Sequence, residues 1–504
     1  MNPLAATLCT QLGELLGAGA PLIMALESSI GASQDTRLDD ILGKAIATLK
    51  AGGTLFEGLE GAQDVFGAQT LAALARAEAL GELATAFKRA GNNTLASPAP
   101  SAPKASVTDG QAPVWMTVLM RGLDAQASDI HLEAASGGGG VLRFRIDGML
   151  NTQETLDSTA MATLLASIRA AANLPPGQPR VPQSGRIELE VGQDPDTRRK
   201  LEVRVSVIPT MRGESAVLRI VEPSRILQHL NDLERIFPDP EQRQAIEKAA
   251  LCSHGVFLAT GPTSSGKTTT LYAMLMRSQP DKLKIVAVED HCEVTLPGVT
   301  HMATNHRRGM SFGATLRGAL RSDPDVVYCS EIRDTETANM LIQIALTGHR
   351  VFSQLHSPDA ASALMRLRNM GLEPYMLAET IRGIVSQRLV RRLCPHCARP
   401  SEAERAKATS AYGADRIDPE ATFLEPVGCP KCQHRGYLGR LPVYELLTLS
   451  PALYDTLYNA SDADTLRRAI AAEPYERLAD AALKLIQSGQ TTATEVLRTC
   501  PPTS

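Results

Sequence analysis

The chain has 504 residues, which at roughly 150 residues per domain predicts about three domains. Its hydrophobic fraction of 43% and charged fraction of 21% are those of a folded globular protein and exclude disorder of the whole chain. A formal net charge of −4, with one Trp, nine Tyr and nine Phe, argues against binding nucleic acid by charge or by base stacking.

The N-terminal part is rich in Ala and Leu and predicts a small helical domain over residues 1–93, with helical spacing in Leu12, Leu15 and Leu16. A Pro/Ala/Ser stretch then predicts a linker over residues 94–112. No apolar run is long enough to span a membrane, and the N-terminus lacks the basic start of a secretory signal. We therefore expect a cytoplasmic protein.

Residues 113–225 predict an α+β domain, because a helical segment leads into segments of alternating hydrophobicity. The predicted elements are a helix over 114–123, a hairpin loop over 137–140, and strands over 141–144 and 201–207.

Residues 226–393 predict an α/β domain in which short buried strands of a mostly parallel sheet alternate with helices. The predicted strands are 256–259, 285–288 and 326–329. A small insertion over 394–447 and C-terminal helices over 448–504 complete the organisation.

A phosphate-loop pattern directly follows the strand at 256–259 and precedes a helical run. Its glycines let backbone N–H groups close around phosphate oxygens. Lys267 is expected to reach the β- and γ-phosphates of ATP and the Thr268 hydroxyl to coordinate Mg²⁺. The predicted nucleotide-binding residues are Gly261, Pro262, Thr263, Ser264, Ser265, Gly266, Lys267, Thr268 and Thr269.

Hydrolysis also needs carboxylates, and two acidic clusters follow predicted strands. Glu331 follows the strand at 326–329 and is the nearest candidate for the Mg²⁺ shell. Glu289, Asp290 and Glu293 follow the strand at 285–288. Acids at the carboxyl ends of parallel strands lie on the ligand edge of the sheet, although the second cluster could also be a solvated loop.

Two histidines and two arginines each admit two interpretations. His349 and His356 flank a short apolar segment and are either structural or able to place an imidazole near the γ-phosphate. Arg204 and Arg219 lie on successive predicted strands. Their position alone favours a role in surface solubility, but an arginine from a neighbouring domain or subunit often completes γ-phosphate hydrolysis.

Two Cys-Pro-x-Cys pairs bring together four of the nine cysteines. Four thiolates satisfy a closed tetrahedral Zn²⁺ site without an open position, so the pairs predict structural zinc in a reducing compartment. A redox role or no metal is the alternative. The predicted ligands are Cys394, Cys397, Cys429 and Cys432.

Eight ordered segments carry a family resemblance. They are ASDIHLE (127–133), FRIDG (144–148), PQSGRI (182–187), GPTSSGKTTT (261–270), VEDHCE (288–293), DPDVVYCSEIRD (323–334), TGHRVFSQLH (347–356) and QRLVRRLCPHC (387–397). Together they resemble the secretion ATPases of type II secretion and type IV pilus assembly. The resemblance implies a homo-hexameric ring motor, each subunit having a PAS-like domain followed by a RecA-like P-loop ATPase domain.

The resemblance also implies residue roles. Lys267 and Thr268 match the family's phosphate-loop lysine and metal-binding hydroxyl, and Glu331 matches its Walker B glutamate. Glu293 matches the second acid of the Asp box, which is implied to polarise the attacking water. The remaining matches are His349 and His356 in the His box, and Arg204 and Arg219 among arginines that reach the nucleotide from the preceding domain.

The chain departs from the family pattern at a few positions. Ser264 and Ser330 stand where glycines are usual, and Gln354 replaces a small polar residue. His291 and Cys292 replace a proline and an aliphatic residue. No charged or ligand group is lost, so these changes are expected to affect rate more than activity. The four-cysteine insertion is typical of extension and secretion motors, which favours assembly over retraction.

A second resemblance concerns the helical N-terminal domain. The segments LLGAGAPLIMALE (15–27), LKAGGTLFEGL (49–59), DVFG (64–67) and ALGELATAF (79–87) resemble the cytoplasmic domain of the inner-membrane platform protein of the same machines. The resemblance implies that the motor carries a copy of its partner's domain as a docking module. An unrelated helical bundle is the alternative.

The leading hypothesis is an ATPase that uses ATP, Mg²⁺ and Zn²⁺ and powers pilus or pseudopilus assembly. Its expected partners are the platform protein and other machinery subunits, through which it associates peripherally with the inner membrane. A ring motor acting on nucleic acid in conjugation is one alternative, against which charge and aromatic content argue. A nucleotide-binding assembly scaffold is another, and the intact Lys267, Glu293 and Glu331 argue against it.

Overall fold

The computed structural model of the chain describes residues 3–17, 20–30, 35–80, 83–91, 113–175, 181–192, 199–305, 310–459 and 463–502. The chain divides into two compact units, Met1–Pro103 and Lys104–Ser504. The linker predicted at residues 94–112 lies outside the described residues.

The described residues of the first unit form helices and no strand, as the sequence predicted. The helices are α1 (Pro3–Gly17), α2 (Leu22–Ser29), α3 (Thr36–Lys50), α4 (Leu55–Gly58), α5 (Gln63–Phe66), α6 (Ala68–Leu80) and α7 (Leu83–Gly91). Local sequence fixes where two of them begin, because the Asp35 side chain accepts from backbone N–H groups at the start of α3, and Thr54 with Glu57 forms a capping box on α4. Leu12, Leu26, Leu42 and two phenylalanines are among the buried residues of its core.

The second unit begins with an antiparallel six-stranded sheet in the order β3-β2-β1-β6-β5-β4. Its strands are β1 (Asp129–Ala134), β2 (Gly140–Ile146), β3 (Met149–Leu156), β4 (Gln183–Val191), β5 (Arg199–Thr210) and β6 (Gly213–Val221). Helices α8 (Val114–Asp124) and α9 (Ser158–Ala171) pack on one face. Every second residue of β5 from Leu201 to Val207 is buried in that core, the pattern of a sheet covered on one side.

A seven-stranded sheet follows, in the order β15-β12-β7-β11-β10-β8-β9. Its strands are β7 (Gly255–Thr260), β8 (Ile285–Glu289), β9 (Val299–Ala303), β10 (Val326–Cys329), β11 (Arg350–Leu355), β12 (Ile381–Leu393) and β15 (Tyr437–Leu447). All neighbouring pairs are parallel except β12 with β15. Its helices are α10 (Pro223–Asn231), α11 (Leu233–Ile236), α12 (Pro240–Ala250), α13 (Lys267–Arg277), α14 (Phe312–Ala319), α15 (Thr335–Leu346), α16 (Ala360–Asn369) and α17 (Pro374–Thr380).

The central strands of this sheet are buried on both faces. In β7, Val256 and Leu258 belong to the core on one face, while Phe257 and Ala259 belong to the core on the other. A strand covered twice has no polar face, which explains why the sequence shows continuous apolar runs here instead of alternation. This is the α/β architecture predicted from the sequence.

The C-terminal part contains two short paired strands, β13 (Arg399–Pro400) and β14 (Leu424–Glu425), and five helices. The helices are α18 (Glu402–Tyr412), α19 (Pro451–Asn459), α20 (Ala463–Ala472), α21 (Leu478–Gln487) and α22 (Ala493–Thr499). Residues 437–447, the end of the predicted insertion, form β15 and pair with β12. Every helix in the described part of the chain is too short or too polar to cross a membrane.

Candidate active site

The loop between β7 and α13 has the backbone of a phosphate cradle. Gly261 has φ 141° and Gly266 has φ 90°, and a Cβ on either would come within 2.5 Å of Gln387 of β12. Ser264, where a glycine is usual, also adopts the left-handed region with φ 62°. An L residue there is strained by roughly 1–2 kcal/mol, so this loop keeps its shape at a cost.

The polar groups of the loop fit a phosphate. Gly266, the residue before helix α13, offers no side-chain cap, which leaves the first N–H groups of the helix available for oxygens. The Ser265 hydroxyl is buried and lacks a hydrogen-bond partner within the described residues. Lys267 donates to the carbonyls of Gly261 and Pro262 at 3.0 and 2.8 Å, and burial lowers its pKa to about 8. Phosphate oxygens would satisfy the hydroxyl and the ammonium together.

Thr268, the predicted Mg²⁺ ligand, is held by a residue that sequence reasoning treated only as a departure. The Gln354 amide donates to the Thr268 hydroxyl at 3.2 Å and to the Tyr328 hydroxyl at 3.0 Å. Tyr328 is fully buried in β10 and stacks edge-to-face on Tyr272 of α13. The glutamine therefore ties the phosphate loop to the middle of the sheet.

The carboxyl ends of β8, β10 and β11 bring the predicted acidic and histidine side chains together. Glu331 follows β10, and its Oε1 lies 3.5 Å from Nε2 of His356, which follows β11. Its Oε2 lies 3.0 Å from Arg333, which also contacts Asp290 after β8 at 2.5 Å. His349 precedes β11 and hydrogen-bonds Thr347 and the Ile344 carbonyl, so it lies at the opposite edge of the sheet.

Glu293 lies in the loop after β8 and faces the first sheet. Burial raises the pKa of its carboxyl, while the charges of Arg204 and Arg219 oppose the rise. Arg204 also donates to the Cys292 carbonyl at 2.9 Å, and Arg219 pairs with Asp129 at 2.9 Å. Among the described residues, no hydrogen bond or ion pair joins either arginine to residues 261–269. The two arginines thus lie near the acidic loop, and their expected contact with the nucleotide stays a prediction.

The four predicted zinc ligands converge. Their Sγ atoms lie within 4.8 Å of one another, with separations of 3.9 Å for Cys394–Cys429 and 3.8 Å for both Cys397–Cys432 and Cys429–Cys432. A tetrahedron with Zn–S bonds of about 2.3 Å has sulfur–sulfur edges of about 3.8 Å. The donor set and its spacing therefore fit Zn²⁺.

A second group of metal-ligand residue types, Glu289, Cys292 and His301, has a different explanation. His301 Nε2 accepts the Leu296 N–H at 2.9 Å, so the ring proton resides on Nδ1 and points to Glu289 at 2.6 Å. An Nδ1 that carries a proton cannot ligate a metal. Glu289 is also the acceptor of the Tyr272 hydroxyl at 2.5 Å, and the group reads as a hydrogen-bond network.

Comparison with known proteins places both units. Residues 109–498 match the family described as type II/IV secretion system protein, and residues 8–96 match type II secretion system protein F. The putative type II secretion system protein E of Escherichia coli K12 is 39% identical over 78% of this chain and 78% of its own length. The type IV pilus assembly ATPase TfpB of Acinetobacter baylyi is 36% identical over 77% of this chain and 65% of its own length. The ATPase DotB of Legionella pneumophila, 18% identical, shares the fold with a TM-score of 0.53 over 78% of this chain and 96% of that one.

Proposed function

The chain belongs to the type II/IV secretion system protein family and is an ATPase, and on that premise we propose that its ATP hydrolysis powers type IV pilus assembly or type II protein secretion. The working form is a homo-hexameric ring. The observation that carries this proposal is a phosphate loop whose Lys267 interacts electrostatically with Glu331, which lies 3.5 Å from His356. The same chain contains a protein F domain.

Each site residue has a proposed task. The loop residues 261–269 bind the ATP phosphates, and Lys267 exchanges the two loop carbonyls for phosphate oxygens. Thr268 and Glu331 would hold Mg²⁺, which neutralises charge on the phosphates when bound. His356 lies beside Glu331 and senses the γ-phosphate.

Glu293 is the proposed general base for the attacking water. Burial raises the pKa of its carboxyl, which strengthens it as a proton acceptor near neutral pH. Arg204 and Arg219 offset developing negative charge from the preceding domain, and their closeness to the Glu293 loop supports this role.

The N-terminal unit is the proposed docking module. Its match to protein F supports contact with the inner-membrane platform protein and other machinery subunits, which would place the motor peripherally at the cytoplasmic face of that membrane. The Cys394, Cys397, Cys429 and Cys432 site is proposed to bind structural Zn²⁺, because all four positions of the tetrahedron are filled by protein. The secretion and pilus relatives do not favour the nucleic-acid alternative.

Steady-state ATP hydrolysis by size-fractionated protein tests the function. We expect activity in the oligomeric fraction and a fall in kcat of roughly 100-fold or more in Glu293→Gln, the loss typical of removing a general base. Glu234→Gln, which neutralises an exposed acid on α11, is the matched control and should retain activity. Equal activity in Glu293→Gln and the wild type would show that another acid, such as Glu331, is the general base. A wild-type ring without activity would support the alternative of a nucleotide-binding assembly scaffold.

A further inference from the structure

Arg333 lies between two acidic residues of the candidate active site and has no role in the proposed function. Its side chain lies between Glu331 and Asp290, with Nη2 at 3.0 Å from the first and Nη1 at 2.5 Å from the second. The guanidinium also lies over the ring of Phe312, 5.7 Å from its centroid. Three groups from three different parts of the α/β domain thus converge on one side chain.

The backbone on both sides of Arg333 is fixed. The Ile332 N–H donates to the Gln354 carbonyl at 3.0 Å, which continues the pairing of β10 with β11 past the end of the strand. The Asp334 side chain accepts the Thr337 N–H at 2.7 Å and caps α15. With both neighbours anchored, the arginine projects from a defined position between the two acids.

The charges explain why a cation is needed there. Glu331 and Asp290 follow adjacent parallel strands, β10 and β8, and both carboxylates contact the same guanidinium, so without that cation they would repel each other. The guanidinium is a planar fork that can bind one carboxylate with each edge. Thr304 adds a hydroxyl donor to Asp290, so the fork has an ordered acceptor on that side.

Both carboxylate oxygens of Glu331 already have neighbours within the protein. Its Oε2 is bound by Arg333, and its Oε1 lies 3.5 Å from His356. Both Mg²⁺ and a guanidinium prefer the same carboxylate oxygens. We propose that Arg333 is a positioning residue that braces Glu331 against Asp290, and that it competes with Mg²⁺ for Glu331.

The proposal rests on the proposed function, since it assumes that Glu331 serves nucleotide-bound Mg²⁺. In the nucleotide-loaded state, Glu331 leaves the fork while Arg333 stays on Asp290. The arginine thereby keeps the acidic loop in place and sets the Mg²⁺ concentration at which Glu331 is released.

Equilibrium binding of a fluorescent, non-hydrolysable ATP analogue, titrated with Mg²⁺, tests the competition without turnover. In Arg333→Gln we expect the half-saturating Mg²⁺ concentration to fall roughly 3-fold, the size expected for one solvent-screened charge. ATP turnover should fall roughly 10-fold in the same variant, because both carboxylates lose their brace. Arg333→Lys keeps the charge without the fork, so its Mg²⁺ midpoint should stay near the wild type while its turnover falls.

Arg317→Gln is the matched control. Arg317 is a similarly exposed arginine on α14 that pairs with Glu336 at 3.0 Å. Its removal should leave the Mg²⁺ midpoint and turnover unchanged.

Two results overturn the inference: an Arg333→Gln midpoint equal to or above the wild type, or wild-type analogue binding that does not depend on Mg²⁺. If Arg333→Gln fails to fold, the Arg333→Lys variant decides. Wild-type turnover in that variant would show that the two-edged guanidinium is not needed and would overturn the inference. A wild type that binds the analogue with Mg²⁺ but never hydrolyses ATP would instead overturn the proposed function and leave the inference standing.

Discussion

The phosphate loop and the four-cysteine centre are two sites built on opposite principles. The cysteine centre is closed, because its four sulfur atoms already lie at the separations of a zinc tetrahedron. The phosphate loop and the acid after β10 instead have partners within the protein, with Lys267 on loop carbonyls and Glu331 on Arg333.

The contrast fits the role proposed for each site. A structural ion stays bound, so its ligands can be set at the final geometry and need no other partner. A substrate that binds and leaves must exchange with interactions that hold the site in its absence. The internal partners of Lys267 and Glu331 are such interactions, and their strength bears on nucleotide affinity.

The largest expected effect is on the closed centre. Cys432→Ser removes a fully buried ligand, so we expect bound zinc to fall from one equivalent toward zero, with a loss of several kcal/mol of local stability. Zinc content by mass spectrometry and thermal unfolding measure both. Cys252→Ser, at a half-buried cysteine outside the centre, is the control and should keep its zinc. A full zinc complement in Cys432→Ser would contradict the four-thiolate site.

A smaller effect, of opposite sign, is expected in the phosphate loop. Ser264→Gly relieves a left-handed conformation, φ 62°, that glycine adopts without strain. The free energy of unfolding should rise by roughly 0.5–1 kcal/mol, equivalent to roughly 1 °C in the thermal midpoint of the ATPase unit. Ser264→Ala keeps the Cβ and should bring no gain. If both variants gained the same free energy of unfolding, the gain could not come from relief of backbone strain.

The smallest effect on either centre should come from removing residues 1–93. Both centres lie in the unit Lys104–Ser504, so zinc content and ATP hydrolysis should stay within about 2-fold of the full chain if that unit folds on its own core. Recovery with inner-membrane vesicles that contain the platform protein should fall, because the protein F domain is lost. Unchanged recovery would count against the docking role, and full-length protein with vesicles lacking the platform is the control.

The parts of the fold and site that depend on local sequence could be predicted. The strand–loop–helix around Lys267 follows from an apolar run, glycines at left-handed positions and a helical segment. The acids after β8 and β10 could be placed on one edge because parallel strands share a direction. The spacing within the two cysteine pairs was enough to predict that the four thiolates form one metal site.

Contacts between distant side chains could not be predicted in the same way. The Gln354–Thr268 bond joins strand β11 to helix α13, and its only sequence signal was an unusual residue in a familiar segment. Arg333 looked like part of a motif, and its bridge to Asp290 depends on the loop after another strand. His349 and His356 are close in sequence, but they flank the six-residue strand β11 and therefore lie at its opposite ends.

Strand β12 links the phosphate loop to the four-cysteine centre. Gln387 in its middle accepts a hydrogen bond from the Thr270 hydroxyl of helix α13 and lies close to Gly261 and Gly266 of the phosphate loop. The strand runs on to Leu393, the residue before Cys394. At about 3.3 Å per residue, Cys394 lies roughly 23 Å along the strand from Gln387. The same strand therefore lies beside the phosphate loop and ends at the four-cysteine centre, so the two sites share one continuous piece of backbone.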